Sequence, residues 1–135
     1  MSAIGVLTIT DARERAAAAL APQSETDPDV QVNFVDALNP PVLMVGWTDP
    51  WLEPSGMCRF VARLTIWCVA GRLEPGDGVT TLEGMVSLVV DRLQADGYGW
   101  GLPTVSAPRV YAFGQIDYLA AQVVYPVHVT TEEST

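Results

Sequence analysis

Lysine is absent from this chain, histidine occurs once and cysteine twice. Each scarcity closes off a class of chemistry. Seven arginines against sixteen Asp and Glu leave a net charge of −9, so there is no reserve of clustered cations to displace counterions from a phosphate backbone, and the overall field repels nucleic acid. An acidity of this size keeps a protein soluble. With one imidazole, His128, and no Cys-x-x-Cys or His-x-x-x-His spacing, no pattern for structural zinc exists. Cys58 and Cys68 lie ten residues apart in what reads as a single extended strand, roughly 30 Å at about 3.3 Å per residue. A disulfide spans only about 4.4–6.8 Å between Cα atoms. Two reduced, buried thiols are expected.

Long apolar runs are missing too. Stretches such as Val42–Val45 and Leu64–Ala70 fall far short of the roughly 20 residues that cross a bilayer, so no membrane partner is expected. The first ten residues have no basic start, and Ile4, Val6, Leu7 and Ile9 are interleaved with Gly5 and Thr8. No secretion signal is expected there, and the protein reads as made and kept inside a cell.

What is present suffices for one core: 135 residues, 49% of them apolar, in the size range of a single domain. The periodicity predicts an α+β domain over residues 1–130, a mixed or antiparallel β-sheet flanked by two main helices, with a flexible polar tail at 131–135. Thr10 is the expected N-cap of the first helix, Asp11 and Glu14 its acidic first turn, and Ala16–Leu20 its continuation to Ala21-Pro22. Ile9, Ala12, Ala16, Ala19 and Leu20 make a face of small side chains. Val30, Val32 and Phe34 suggest a short edge strand ended by Asn39-Pro40-Pro41, and Val42–Trp47 a buried strand ended by Thr48-Asp49-Pro50. Trp51–Gly56 then reads as a loop.

Met57–Arg72 is the clearest strand. Cys58, Phe60, Ala62, Leu64, Ile66, Cys68 and Ala70 fall on one face, and Arg59, Val61, Arg63, Thr65, Trp67 and Val69 on the other. The first face is core. Glu74-Pro75-Gly76-Asp77-Gly78 lacks the Lys-Ser/Thr ending of a phosphate loop and carries two acids, so it reads as a turn. A second helix follows, with Thr80 and Glu83 as a capping box, Leu82, Met85, Val86, Val89 and Leu93 as its buried stripe, Glu83, Ser87, Asp91 and Gln94 as its wet side, and Gly97 as its stop. The last third reads as a hairpin, Arg109–Phe113 and Asp117–Thr130, with Leu119, Ala121, Val123, Tyr125, Val127 and Val129 inward. Pro126 favours an edge or a bulge.

Catalytic machinery is not legible. The single histidine falls on the outer face of a terminal strand, no Gly-x-Ser-x-Gly elbow occurs, and no spacing singles out Asp36, Asp49 and Glu53 as a carboxylate site. No catalytic, cofactor-binding or metal residue is therefore expected, and the chain reads as a non-enzyme. Arg59, Arg63 and Trp67 point the same way from one strand and form the candidate subunit interface, with an acidic helix or loop of a neighbour as their partner. Trp47 and Trp51, beside turns, form the candidate partner-docking loop, while Trp100 either lines a pocket or plugs a sheet end.

The order of these elements carries a resemblance. Thr10–Leu20, Asn39-Pro40-Pro41 running into Val42–Trp47, Cys58-Arg59-Phe60 into Val69-Ala70-Gly71-Arg72, Thr80–Gly97, and Tyr118 in the closing strand together resemble the tail-terminator and related neck proteins of long-tailed phages of actinobacteria. The likeness covers nearly the whole chain in pattern and order, with no single diagnostic motif. It implies a hexameric ring that caps the tail tube, stops its polymerisation and joins it to the head connector. It also implies a place in the virion neck after assembly in the host cytoplasm, and duplex DNA that passes through the lumen without specific binding. The alternatives are a head-completion or connector protein of the same neck, a tail-tube subunit, or a small ligand-binding domain built on the tryptophan-rich loops.

Overall fold

The structure, a computed structural model, describes residues 7–25, 27–31, 41–72, 77–98, 100–113 and 115–130. The expected strand positions Val32 and Phe34, the turn at Glu74–Gly76 and the tail at 131–135 lie outside them. In chain order the elements are β1 (Leu7–Thr8), α1 (Ile9–Leu20), β2 (Asp29–Gln31), β3 (Val42–Gly56), β4 (Arg59–Arg72), α2 (Asp77–Asp96), β5 (Thr104–Val105), β6 (Arg109–Phe113) and β7 (Ile116–Thr130). All seven described strands join one mixed sheet in the order β1-β7-β4-β3-β2, with β5 and β6 also paired to β7.

The α+β expectation holds, and both helices pack on one side of that sheet. Ala12, Ala16 and Leu20 of α1 and Leu82, Met85, Val89 and Leu93 of α2 share a core with Leu43, Val45, Ala62, Leu64, Ile66, Cys68, Ala121, Val123, Tyr125, Val127 and Val129. The alternation predicted for β4 and β7 thus places one face of each strand under the helices. A smaller cluster of Val42, Met44, Val69, Tyr118 and Ala120 lies on the opposite face, with Trp67, Tyr111 and Ile116 packed against it.

The first helix is capped two residues earlier than Thr10. Thr8 ends β1 in extended geometry (φ −69°, ψ 165°), and its hydroxyl accepts from the Asp11 amide at 3.2 Å, leaving Ile9 and Thr10 inside the first turn. At the other end Ala21 leaves helical geometry (ψ 141°), as a residue before proline must.

The Thr48-Asp49-Pro50 signal does not end the strand, and Trp51–Gly56 is not a loop. Trp47 pairs with Leu64 and Leu52 with Ala62, so the four residues 48–51 stand opposite Arg63 alone before pairing resumes. The turn-forming residues are absorbed as a bulge because β4 continues past them and offers a further row of hydrogen bonds. The hairpin then closes at Met57 and Cys58, with Cys58 in the left-handed region (φ 57°), so β4 begins at Arg59 rather than Met57.

The second helix likewise starts before its expected cap: it opens at Asp77 and takes Thr80 into its first turns. Its entry is held close to the sheet, where a Cβ on Gly78 would lie 2.7 Å from Leu119 Cδ2. Gly97 ends it with φ 79°, as predicted.

β7 is flanked by β4 from Tyr118 to Thr130, while its other edge is divided among β6, β5 and β1. Pro126 falls in the gap on that divided edge, between Val124, paired with Thr104, and Val129, paired with Leu7. A missing amide is tolerated there. Gly101 crosses that gap, where a Cβ would sit 2.8 Å from the Pro126 carbonyl oxygen.

Among the described residues no helix is long and apolar enough to cross a membrane.

Candidate interaction surface

The helices cover one face of the sheet, and among the described residues the other face stays open around the first residues of β4. Cross-strand partners share a face, so Arg59, Val61 and Arg63 lie with Glu53 of β3 and with His128, Pro126, Val124 and Gln122 of β7. Arg63 Nη2 reaches Glu53 Oε1 at 2.7 Å, with the two side chains 44% and 52% exposed. Arg59 is exposed and Val61 half-buried between them. A groove of about 520 Å³ runs beside the ion pair, lined by Pro54, Val61, Leu102, Thr104, Val124 and Pro126 among others. Leu102 is 88% exposed at its rim.

Trp67, the third residue of the expected interface, is further along the same face. It is half-buried and meets Tyr111 edge-on at 4.8 Å between ring centroids. Arg63 and Trp67 therefore both have contacts within their own chain. Arg109 pairs with Ala120 and so joins this face from β6, a placement visible only once the β6–β7 register is known.

Trp47 and Trp51 come together across the bulge, ring centroids 6.1 Å apart and tilted by 34°. They are strand residues and not a loop, and their roles differ. Trp47 packs against the main core, whereas Trp51 is 48% exposed.

Trp100 belongs to a clamp inside the chain. Its Nε1 donates to Asp96 Oδ2 at 3.1 Å, the same oxygen that accepts from Arg15 Nε at 2.9 Å. Arg15 also lies 4.9 Å from the centre of the Tyr98 ring, which meets Trp100 at 4.7 Å between ring centroids with the planes tilted by 59°. The Leu7 amide donates to Tyr98 Oη at 3.4 Å. This set joins α1, the end of α2 and β1.

Of the residues weighed for catalysis, Asp36 and the side chain of Asp49 lie outside the described structure, Glu53 is paired with Arg63, and His128 is exposed with its carbonyl oxygen 3.5 Å from Tyr98 Oη. Among the described residues no group of three His, Cys, Asp or Glu is placed to hold a metal. Neither cysteine is in a disulfide. Cys68 is fully buried, and burial pushes its thiol up to about 12. Cys58 departs from expectation: at the hairpin turn it is only half-buried, because the strand that was to bury it begins one residue later. Burial, together with the nearby Cys68, also raises the Tyr125 phenol.

The chain matches no family model and no curated protein.

Proposed function

We propose that this chain is a structural assembly protein of the virion neck, a tail terminator whose copies close into a hexameric ring that caps the tail tube, stops its polymerisation and receives the head connector. The observation that carries the reading is the inequality of the two sheet faces. One is covered by both helices, and the other presents Arg59, Arg63 and an open groove. A ring built head to tail needs two unlike surfaces on each copy. The order of elements, helix, long hairpin, helix, hairpin, supports the same resemblance. So does the net charge of −9, since a ring around moving duplex DNA works best when it does not grip phosphates.

The test is the copy number in intact neck complexes. Six copies of 14.5 kDa, about 87 kDa, are expected from native mass measurement and from averaged images of the tube end. A copy number that cannot close on a six-fold tube overturns the terminator reading. The same ring found within the tube or the head connector moves the chain to that position.

A further inference from the structure

We propose that the open sheet face at Arg59, Val61 and Arg63 docks the outer stripe of α2, Glu83, Ser87 and Asp91, from a second copy of this chain. The proposal rests on the assembly reading above and names the surfaces that meet. Along β4 the two arginines are four residues apart on one face, about 13 Å at 3.3 Å per residue. Along α2 the two acids are eight residues apart, about 12 Å at 1.5 Å per residue. A helix laid along the strand therefore sets each carboxylate beside a guanidinium, with the small Ser87 over Val61 between them.

Exposure and charge agree with this pairing. Arg59, Arg63, Glu83, Ser87 and Asp91 are all exposed, and Val61 is half-buried. Among the described residues Arg59, Glu83 and Asp91 take part in none of the three ion pairs. Arg63 gives one nitrogen to Glu53 in a pair that is about half exposed. Such pairs contribute at most about 1 kcal/mol, and the guanidinium fork has donors for a second carboxylate. The charges differ between the layers without being fully separated: Arg59, Arg63 and Arg109 share the sheet face with the acids Glu53 and Asp29, while Asp11, Glu14, Glu83 and Asp91 are exposed on the helices, whose arginines Arg13, Arg15 and Arg92 are partly buried. The groove beside Arg63, with Val61, Val124 and Pro126, supplies apolar area for the docked helix. Because the two surfaces differ, each terminal copy keeps one free surface after pairing, and association continues into a ring where the rotation between copies closes.

Charge reversal tests this directly. One variant carries Arg59→Glu with Arg63→Glu, a second Glu83→Arg with Asp91→Arg, and each is followed by sedimentation and by circular dichroism melting. The wild type is expected to form species heavier than 14.5 kDa as concentration rises, and each variant alone to remain a folded 14.5 kDa monomer. An equimolar mixture should assemble again, since the acidic sheet face of the first variant meets the basic helix of the second, and conversely. If either reversal costs the fold, Arg63→Gln and Glu83→Gln must each weaken association at least tenfold. Assembly indifferent to these changes, or variants that stay folded and fail to combine, overturns the interface and leaves the assembly reading standing. A wild type that stays monomeric at every concentration overturns this interface, while the assembly reading stands or falls on the copy number in intact neck complexes.

Discussion

Arg92 of α2 and Asp27, in the segment leaving α1, meet at 2.7 Å between Nη2 and Oδ2, with side chains only 18% and 13% exposed. The same carboxylate oxygen accepts from the Gln23 amide at 2.8 Å, and Arg92 Nη1 donates to the Ala21 carbonyl at 3.1 Å. One arginine thus closes the C-terminal end of α1 and fixes the chain that follows it. The guanidinium, then the amide, hold the Asp27 carboxyl below its ordinary value of 3.8. Between that value and the lowered one, the unfolded chain binds a proton that the folded chain does not, so stability rises with pH there. The melting temperature should therefore drop as pH falls below about 3.8, and Asp27→Asn should flatten that part of the profile. An unchanged profile in the variant contradicts a role for this pair.

Asp96 is the shared acceptor of Arg15 and Trp100. Asp96→Ala leaves a part-buried indole N–H and a guanidinium without it, at a cost of about 1–2 kcal/mol in denaturant unfolding. Arg15→Ala in the same background should then cost less than in the wild type, and a double-mutant cycle measures that coupling.

The two thiols should label at different rates. Cys58 is half-buried at the hairpin turn and should react first, while Cys68 is buried with its pKa raised from 9.0 to about 12. Very little of Cys68 is thiolate at ordinary pH. Mass spectrometry after brief alkylation at pH 8 should find a single adduct, on Cys58. Fast labelling of Cys68 contradicts the packing of β4 under the helices.

Two glycines should respond to alanine with opposite signs. Gly84, within α2, has nothing within 4 Å of an added Cβ, so Gly84→Ala should stabilise by about 0.4–1 kcal/mol. At Gly101 the added carbon meets the Pro126 carbonyl oxygen at 2.8 Å, and Gly101→Ala should destabilise by about 1 kcal/mol or more. Chemical denaturation of both variants reads the difference.

Local signals made α2 legible: of its expected stripe Leu82, Met85, Val89 and Leu93 are buried and Val86 half-buried, Glu83, Ser87, Asp91 and Gln94 are wet, and Gly97 stops it. The β6–β7 hairpin and the inward set of β7 were also legible from period-two spacing, whereas the burial of Tyr118 and Ala120 on the opposite face was not, since it depends on the second cluster formed with Val42, Met44 and Val69. The far half of β3 was hidden, since Thr48-Asp49-Pro50 is a turn signal by itself and only pairing with β4 turns it into a bulge. The Glu53–Arg63 pair went unseen with it, because residues assigned to a loop have no cross-strand neighbours to consider. For the candidate surface, period-two spacing gave the shared direction of Arg59 and Arg63, while Arg109 joined them only through the β6–β7 register.

The place of β7 between β4 and its three short neighbours also fixes an order of events during synthesis. The β3–β4 hairpin is complete at Arg72, but its inner edge waits for a partner that begins at Ile116, with 43 residues between them. At roughly 5–20 residues per second, that edge is bare for several seconds on the ribosome. Within it lie Leu64, Thr65 and Ile66, apolar and β-branched side chains of the sort that template aggregation when unpaired. The nascent chain is thus most vulnerable after α2 has been made and before β7 has, and yield in a cell should respond to whatever shelters β4 in that interval.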